Sequence, residues 1–315
     1  MMNLDRTKAP KIQNVGQPTY LKVEKKSLFK NQFVHSLASQ QSELISMVLC
    51  FDGSYDTQTN NQLISVLCEL MCSGTTQHPR HQLAEKLDFY GAYFQCSAKE
   101  KHIEIEVFFL QRFLPNILPI FKTILQDLNL HQQDIDLAIQ RRIQNLKVSQ
   151  QKVDFVAKQA FNSHLFGEKH PYGRLSRLED LEVISSTGLM EVYNQLIKNH
   201  SFDLFLTGGF SSSDEAFIIE HLSQQVDESK TKANSLTFDF EPKSTRTHLK
   251  MPDKMQTAIR VGFVCPGAEH PNGLDYKMLN YVLGGYFGSR LMKNIRDDKG
   301  YTYGIGSSLA FKADS

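Results

Sequence analysis

The stretch Leu283-Gly-Gly-Tyr-Phe-Gly-Ser-Arg-Leu291 decides the fold, because it marks the second copy of a unit that occurs twice in the chain. A shift of 214 residues places Gly74-Thr75 on Gly288-Ser289 and Gly53 on Gly267 without a gap. In both copies an apolar run, a turn and a helical pattern precede the Gly–Ser/Thr pair. This regularity predicts two homologous domains. The alternative is a chance pairing of common strand-to-helix units.

The apolar periodicity around these markers predicts an α+β fold. Strands are predicted where β-rich apolar runs or alternating residues occur, and helices where apolar residues recur every three or four positions. The predicted strands are 44–51, 92–98 (as a sheet edge), 102–109, 202–207 and 257–265, and the predicted helices are 61–72, 81–90, 113–128, 132–149, 152–165, 213–225 and 274–283. We therefore expect each domain to hold a mostly antiparallel sheet with helices on one face.

The repeat also predicts the domain boundaries. The first domain should cover residues 1–226, and the polar and charged segment 227–245 should be a linker. Residues 246–315 would then be the first part of the second domain. By the period of the repeat a complete second copy would extend beyond Ser315, so we expect this domain to be truncated.

Composition and charge exclude several classes of function. The formal net charge of +1 favours neither nucleic acid nor an anionic membrane as a partner. Apolar runs stay shorter than the roughly 18 residues that a membrane span requires. The N-terminus lacks the apolar region of a signal peptide. The 5 cysteines are an odd number in mostly apolar surroundings, so we expect reduced thiols in a cytoplasmic protein.

Arg296 and Tyr303 are the candidate chemical groups next to the quoted stretch. A guanidinium donates a planar fork of hydrogen bonds to a carbonyl or carboxylate, and a phenol can stabilise a developing oxyanion. Tyr303 lies in Lys299-Gly-Tyr-Thr-Tyr-Gly304. The alternative is a surface arginine in a charge-rich turn and a tyrosine in the core.

The chain resembles the pitrilysin/insulinase family of zinc peptidases, in particular the mitochondrial processing peptidase group. The quoted stretch, Arg296 and Lys299–Gly304 carry the resemblance in the second copy. Phe51-Asp-Gly-Ser54 and His170-Pro-Tyr-Gly-Arg174 carry it in the first. The resemblance implies that Arg296 holds the substrate backbone and that Tyr303 stabilises the tetrahedral intermediate. It also implies a group of substrate-binding positions, with Tyr301 acting by packing: Gly284, Gly285, Ser289 and Tyr301.

The zinc motif of that family is degenerate here. The family carries an inverted H-x-x-E-H motif, in which two histidines bind zinc and the glutamate activates water. By resemblance, Ser65 and Glu69 stand at the histidine positions and Cys68 at the glutamate. Asn145 stands at the position of the distal glutamate ligand. This donor set is poor for zinc and lacks a base, so we expect no metal in this chain.

The resemblance implies a division of labour between two subunits. We expect this chain to be the non-catalytic, substrate-binding subunit of a heterodimeric zinc peptidase, inactive alone, with zinc in a homologous partner and a peptide as substrate. One alternative is a structural or assembly protein that retains the fold without proteolytic work. Another is a self-sufficient metallopeptidase with an altered site, in which Cys68, Cys72 and His78 could bind a metal.

Overall fold

The computed structural model describes residues 16, 20–30, 32–39, 41–58, 60–224, 226–227, 246–267 and 270–311. Its centre is a six-stranded sheet in the order β1-β2-β6-β3-β5-β4. The strands are β1 (Glu24–Phe29), β2 (Gln32–Ala38), β3 (Leu44–Asp52), β4 (Tyr93–Ala98), β5 (His102–Leu110) and β6 (Asp203–Gly208). All neighbours are antiparallel except β2 and β6. The predicted mixed fold with a mostly antiparallel sheet is confirmed, and β4 is an edge strand as predicted.

The described α-helices include all seven that the sequence predicts, and two more between residues 179 and 196 that it does not predict. They are α1 (Asn61–Leu70), α2 (Arg80–Phe89), α3 (Leu114–Gln126), α4 (Gln132–Gln150), α5 (Val153–Phe166), α6 (Glu179–Glu182), α7 (Ser186–Leu196), α8 (Ser212–Ser223) and α9 (Gly273–Gly284). Asn60 caps α1 by accepting a hydrogen bond from the Gln62 amide at 2.8 Å. Ser211 and Asp214 form a capping box at the start of α8.

The core lies between one face of the sheet and the helices. Alternate residues of β3, Ile45, Met47, Leu49 and Phe51, are buried, while the residues between them are only half-buried. The apolar sides of α1, α3 and α7 supply the facing layer. This one-sided burial leaves the opposite face of the sheet as the second surface of the domain.

Tyr193 joins two elements of this core through its buried hydroxyl. The hydroxyl donates to the Leu125 carbonyl at 2.8 Å and accepts from the Leu128 amide at 3.5 Å.

Tyr193→Phe should therefore leave two buried backbone groups unsatisfied and lower the free energy of unfolding by about 1–3 kcal/mol. Urea denaturation should show a lower midpoint with an unchanged slope. Tyr90→Phe is the matched control. Its ring is half-buried, so a shift within about 0.5 kcal/mol is expected.

Of the strand and helix predicted for the second copy of the repeat, the structure contains only the helix. The predicted helix at 274–283 is confirmed as α9, but the predicted strand at 257–265 is wrong, because these residues pair with no strand in the described part of the chain. Instead, Gly262 lies against the Phe161 ring of α5, and the Arg260 guanidinium donates to the Asp154 carboxylate. Of the predicted linker only Asp227 lies within the described residues, so the domain boundaries stay predictions.

Candidate functional site

The degenerate motif lies where α1 and α4 pack together. Ser65 and Glu69 are one turn apart, so they occupy one side of α1. The Ser65 hydroxyl lies 2.9 Å from the Tyr55 hydroxyl. Cys68 is buried, at 8% exposure, and Asn145 is exposed on α4. Ser65 and Glu69 on α1 therefore lie next to α4, the helix that also carries Asn145.

A cationic side chain from α4 fills the space between these positions. Arg142 Nε donates to Glu69 Oε2 at 2.9 Å, and Arg142 Nη2 donates to the Ser65 carbonyl at 2.7 Å. Arg141 is farther away, with Nη1 3.9 Å from Glu69 Oε1. The Arg142 side chain is only 27% exposed and bridges the two helices, so it is not part of a solvated face.

These residues do not fit a zinc ion. A guanidinium already neutralises the carboxylate at Glu69, and a divalent cation beside Arg142 would be repelled by about 4 kcal/mol per unit charge at 4 Å in a partly solvated site. Ser65 uses its hydroxyl on Tyr55, and an amide such as Asn145 is a weak ligand for zinc. The chain therefore places the Arg142 guanidinium between two of the positions that the resemblance assigns to the zinc motif.

The cysteines near the motif are protected thiols. Burial raises the pKa of Cys72 to about 12, and burial together with a hydrogen bond that the Cys96 thiol donates to Cys68 raises the pKa of Cys96. Such thiols are poor nucleophiles at neutral pH. His78 Nε2 lies 3.0 Å from Lys86 Nζ. Within the described part of the chain, the group with metal-ligand spacing is Cys50, His102 and Glu104, and not Cys68, Cys72 and His78.

Arg296 and Tyr303 are brought together by the segment after α9. Arg296 belongs to a π-helical turn, Met292–Asp297, a form often found at functional sites. Its Nε donates to the Tyr303 carbonyl at 3.0 Å, and its guanidinium carbon lies 4.9 Å from the centre of the Phe287 ring. Nη1 lies 3.3 Å from Asp297 Oδ1. Because Nη2 has no partner among the described residues, the fork keeps a donor for a ligand.

The phenol of Tyr303 points away from the protein body. Tyr303 is 95% exposed, so the alternative of a core tyrosine does not hold. Tyr301, at 78%, is also exposed and therefore does not pack into this chain. Both aromatic rings are presented on the surface, which costs hydrophobic free energy unless another molecule covers them.

The other predicted substrate-binding positions have structural reasons for their residue types. A Cβ on Gly284 would lie 2.4 Å from the Ser307 amide nitrogen, which donates to the Gly284 carbonyl at 3.2 Å. Gly285 closes α9 against Tyr281. Ser289 is fully buried, and its hydroxyl has no partner among the described residues. The roles of Gly284, Gly285 and Ser289 in substrate binding stay predictions.

The two halves of the candidate site remain separate in their contacts. The hydrogen bonds and ring contacts of Arg296 and Tyr303 stay within residues 287–303. The contacts of Ser65 and Glu69 stay within α1, α4 and Tyr55. Among the described residues, therefore, no hydrogen bond, ion pair or ring contact joins the motif positions to the Arg–Tyr block.

No described helix is both long and apolar enough to cross a bilayer.

Comparison with known proteins matches both halves of the chain. A family model described as Insulinase (Peptidase family M16) matches residues 34–170, and one described as Peptidase M16 inactive domain matches residues 184–314. The mitochondrial ubiquinol-cytochrome-c reductase complex core protein I of Euglena gracilis is 23% identical over 239 residues. The alignment covers 74% of this chain and 47% of that protein, so the chain spans about half the length of this curated relative.

Solved structures share the fold at low sequence identity. A peptidase M16 inactive domain from Pseudomonas fluorescens superposes with a TM-score of 0.78 at 17% identity, covering 92% of this chain and 71% of that chain. A protease from Helicobacter pylori gives a TM-score of 0.74 at 13% identity, covering 93% and 72%.

The fold defines a peptidase-like α+β protein, and Ser65, Cys68 and Glu69 stand where the resemblance places the inverted zinc motif. The chain belongs to the insulinase (M16) peptidase family, as a member of the non-catalytic type.

Proposed function

We propose that this chain is the substrate-binding subunit of a heterodimeric zinc peptidase, and that it offers Arg296 and Tyr303 to the zinc site of a homologous partner. The observation that carries the proposal is the pairing of two features: an exposed Tyr303 next to a partly exposed Arg296, and a guanidinium, Arg142, bound to Glu69. Groups suited to bind a peptide carbonyl and an oxyanion are thus present, while the positions that the resemblance assigns to a metal hold an ion pair.

The geometry of the block supports distinct roles for its two side chains. The Tyr303 carbonyl and the Phe287 ring orient the Arg296 guanidinium, which leaves Nη2 to donate to a backbone carbonyl of a bound peptide. The Tyr303 hydroxyl can donate to the oxyanion that forms at the scissile bond. The partner would hold the zinc, which supplies a polarised carbonyl and an activated water. The catalytic cleft would be complete only when this chain and its partner subunit close around the substrate.

Co-expression with a homologous subunit that carries an intact H-x-x-E-H motif tests this function. We expect peptide hydrolysis from the purified pair and none from either subunit alone, because each subunit lacks part of the site. A zinc-bearing subunit that is fully active without this chain would contradict the proposal. So would hydrolysis by this chain alone.

A second function has one observation in its favour. The Euglena relative is named as a core protein of a respiratory complex, which favours a structural or assembly role for the same fold. This chain would then join a larger complex without contributing to hydrolysis. The two functions differ in one result. A purely structural subunit should stabilise its complex equally well with Arg296→Ala, whereas a substrate-binding subunit should support much less hydrolysis.

A further inference from the structure

A group of metal-binding side chains lies on the face of the sheet that the helices leave uncovered. In the β3–β5 register, Cys50 is opposite Glu104 and Asp52 is opposite His102. Because side chains alternate along a strand, Cys50, His102 and Glu104 share one face, opposite to the buried Leu49 and Ile105. All three are half-buried, so their donor groups are accessible to an ion but only partly solvated.

The separations in this group are close to those of a metal site. The Cys50 Sγ, a His102 ring nitrogen and a Glu104 carboxylate oxygen all lie within 4.8 Å of one another. His102 Nε2 is 2.9 Å from Glu104 Oε1. Around a tetrahedral zinc ion, donor atoms of these types are about 3.3–3.6 Å apart, given the usual bond lengths. Side-chain shifts of about an ångström would therefore suffice to form the site.

We propose that Cys50, His102 and Glu104 form a binding site for Zn²⁺ whose fourth position is open to water or a small ligand. Thiolate and imidazole ligands favour zinc over the oxygen-seeking ions Mg²⁺ and Ca²⁺. The site lies on the sheet, apart from the α1–α4 motif and from the Arg–Tyr block, so it goes beyond the proposed peptidase role.

The charges around Cys50 favour a cation. Burial, followed by the charges of Glu104, Asp203 and Asp52, raises the pKa of the Cys50 thiol to about 12. These carboxylates would also attract a divalent ion, whereas burial holds the proton on the sulfur and opposes the metal. Zinc binding should therefore release the thiol proton and weaken as the pH falls.

The Lys99 ammonium would compete with a metal ion for the Glu104 carboxylate, which provides a way to test the site. Its Nζ lies 2.9 Å from Glu104 Oε2, where its charge competes with a metal for the carboxylate. The Lys99 side chain is 43% exposed, so it can turn into solvent when the metal binds. Lys99→Ala should remove this competition and tighten metal binding several-fold.

Cobalt titration of the purified full chain tests the site, because Co²⁺ substitutes for zinc and reports its ligands spectroscopically. We expect one equivalent to bind with a thiolate-to-cobalt charge-transfer band in the near ultraviolet, and added Zn²⁺ to displace it. Cys50→Ser should abolish the band, and His102→Ala should weaken binding at least tenfold. Cys72→Ser is the matched control and should retain the band.

Two results would overturn the proposal: no charge-transfer band in the natural chain, or a band of full intensity in Cys50→Ser. Circular dichroism should show that each variant keeps its fold, which is expected because the three side chains lie outside the buried core. Lys99→Ala gives an independent check, because a site elsewhere in the protein would bind cobalt with unchanged affinity in this variant.

Discussion

Tyr303→Phe should lower kcat of the assembled peptidase pair by about 10²–10³-fold, the usual cost of removing one donor to a developing oxyanion. The substitution removes a single hydroxyl from a side chain that is 95% exposed and whose hydroxyl makes no contact within the described chain. Folding and assembly should therefore be unaffected. Because the donor acts on charge that develops in the transition state, KM should change much less than kcat.

Tyr301→Phe is the matched control for this experiment. Tyr301 is also exposed, at 78%, and lies two residues away in the same segment. Its loss of a hydroxyl should change kcat by less than about threefold if Tyr303 alone reaches the reacting carbonyl. Equal losses of kcat in both variants would indicate that any change in this exposed segment lowers activity, and not the loss of one donor to the oxyanion. Full activity in Tyr303→Phe would exclude its catalytic role.

Arg296 acts through binding and should respond differently. Arg296→Lys keeps the positive charge but loses the planar fork, so the contact with the Tyr303 carbonyl and the donor to the substrate cannot both be kept. A rise in KM together with a fall in kcat is therefore expected. The contrast with Tyr303→Phe separates positioning of the peptide from stabilisation of the oxyanion.

The sequence predicted the elements of the first unit well where the apolar pattern was regular. The strand at 44–51 was predicted from its β-rich apolar run, and the strand at 102–109 from its alternation of apolar and charged residues. The β1–β2 hairpin was missed, since β1 is largely exposed and charged and β2 buries Gln32 and Ser36 at positions where apolar residues are expected. A strand whose inward side is polar gives little periodic signal.

The segment 257–265 shows the opposite error, a strand that was predicted but is not formed. Its local pattern favours a strand, but a strand exists only when another strand completes its hydrogen bonds. Val261 and Phe263 are 91% and 82% exposed, so these apolar side chains also lack a layer to pack against. Local propensity therefore predicted the residue pattern correctly and the structure incorrectly.

Arg142 was missed as part of the site for a different reason. It lies one turn before Asn145 on α4, and its partner Glu69 lies 73 residues earlier in the chain. A single sequence gives no sign that these two helices pack face to face. The available signal was the carboxylate at a former ligand position, because a half-buried charge requires a partner of opposite sign.

This ion pair leads to the second large effect, a gain of zinc binding that depends on Arg142. The triple variant Ser65→His, Glu69→His and Asn145→Glu restores the three ligands and leaves the buried Cys68 unchanged. With Arg142 retained, the guanidinium loses its carboxylate at Glu69 and stands beside the metal. Adding Arg142→Ala should therefore raise zinc affinity by at least about tenfold, a small part of the repulsion expected between charges 4 Å apart.

Arg141→Ala in the same triple variant is the control for net charge. Arg141 lies 3.9 Å from the Glu69 carboxylate, against 2.9 Å for Arg142, and its side chain is 49% exposed against 27%. Its removal should change the zinc affinity much less, because solvent screens it more strongly. Calorimetric titration with zinc measures both effects. Equal affinities with and without Arg142 would show that the missing ligands alone explain the absence of a zinc site. A gain specific to Arg142→Ala would show that this guanidinium, and not only the missing ligands, opposes a zinc ion at these positions.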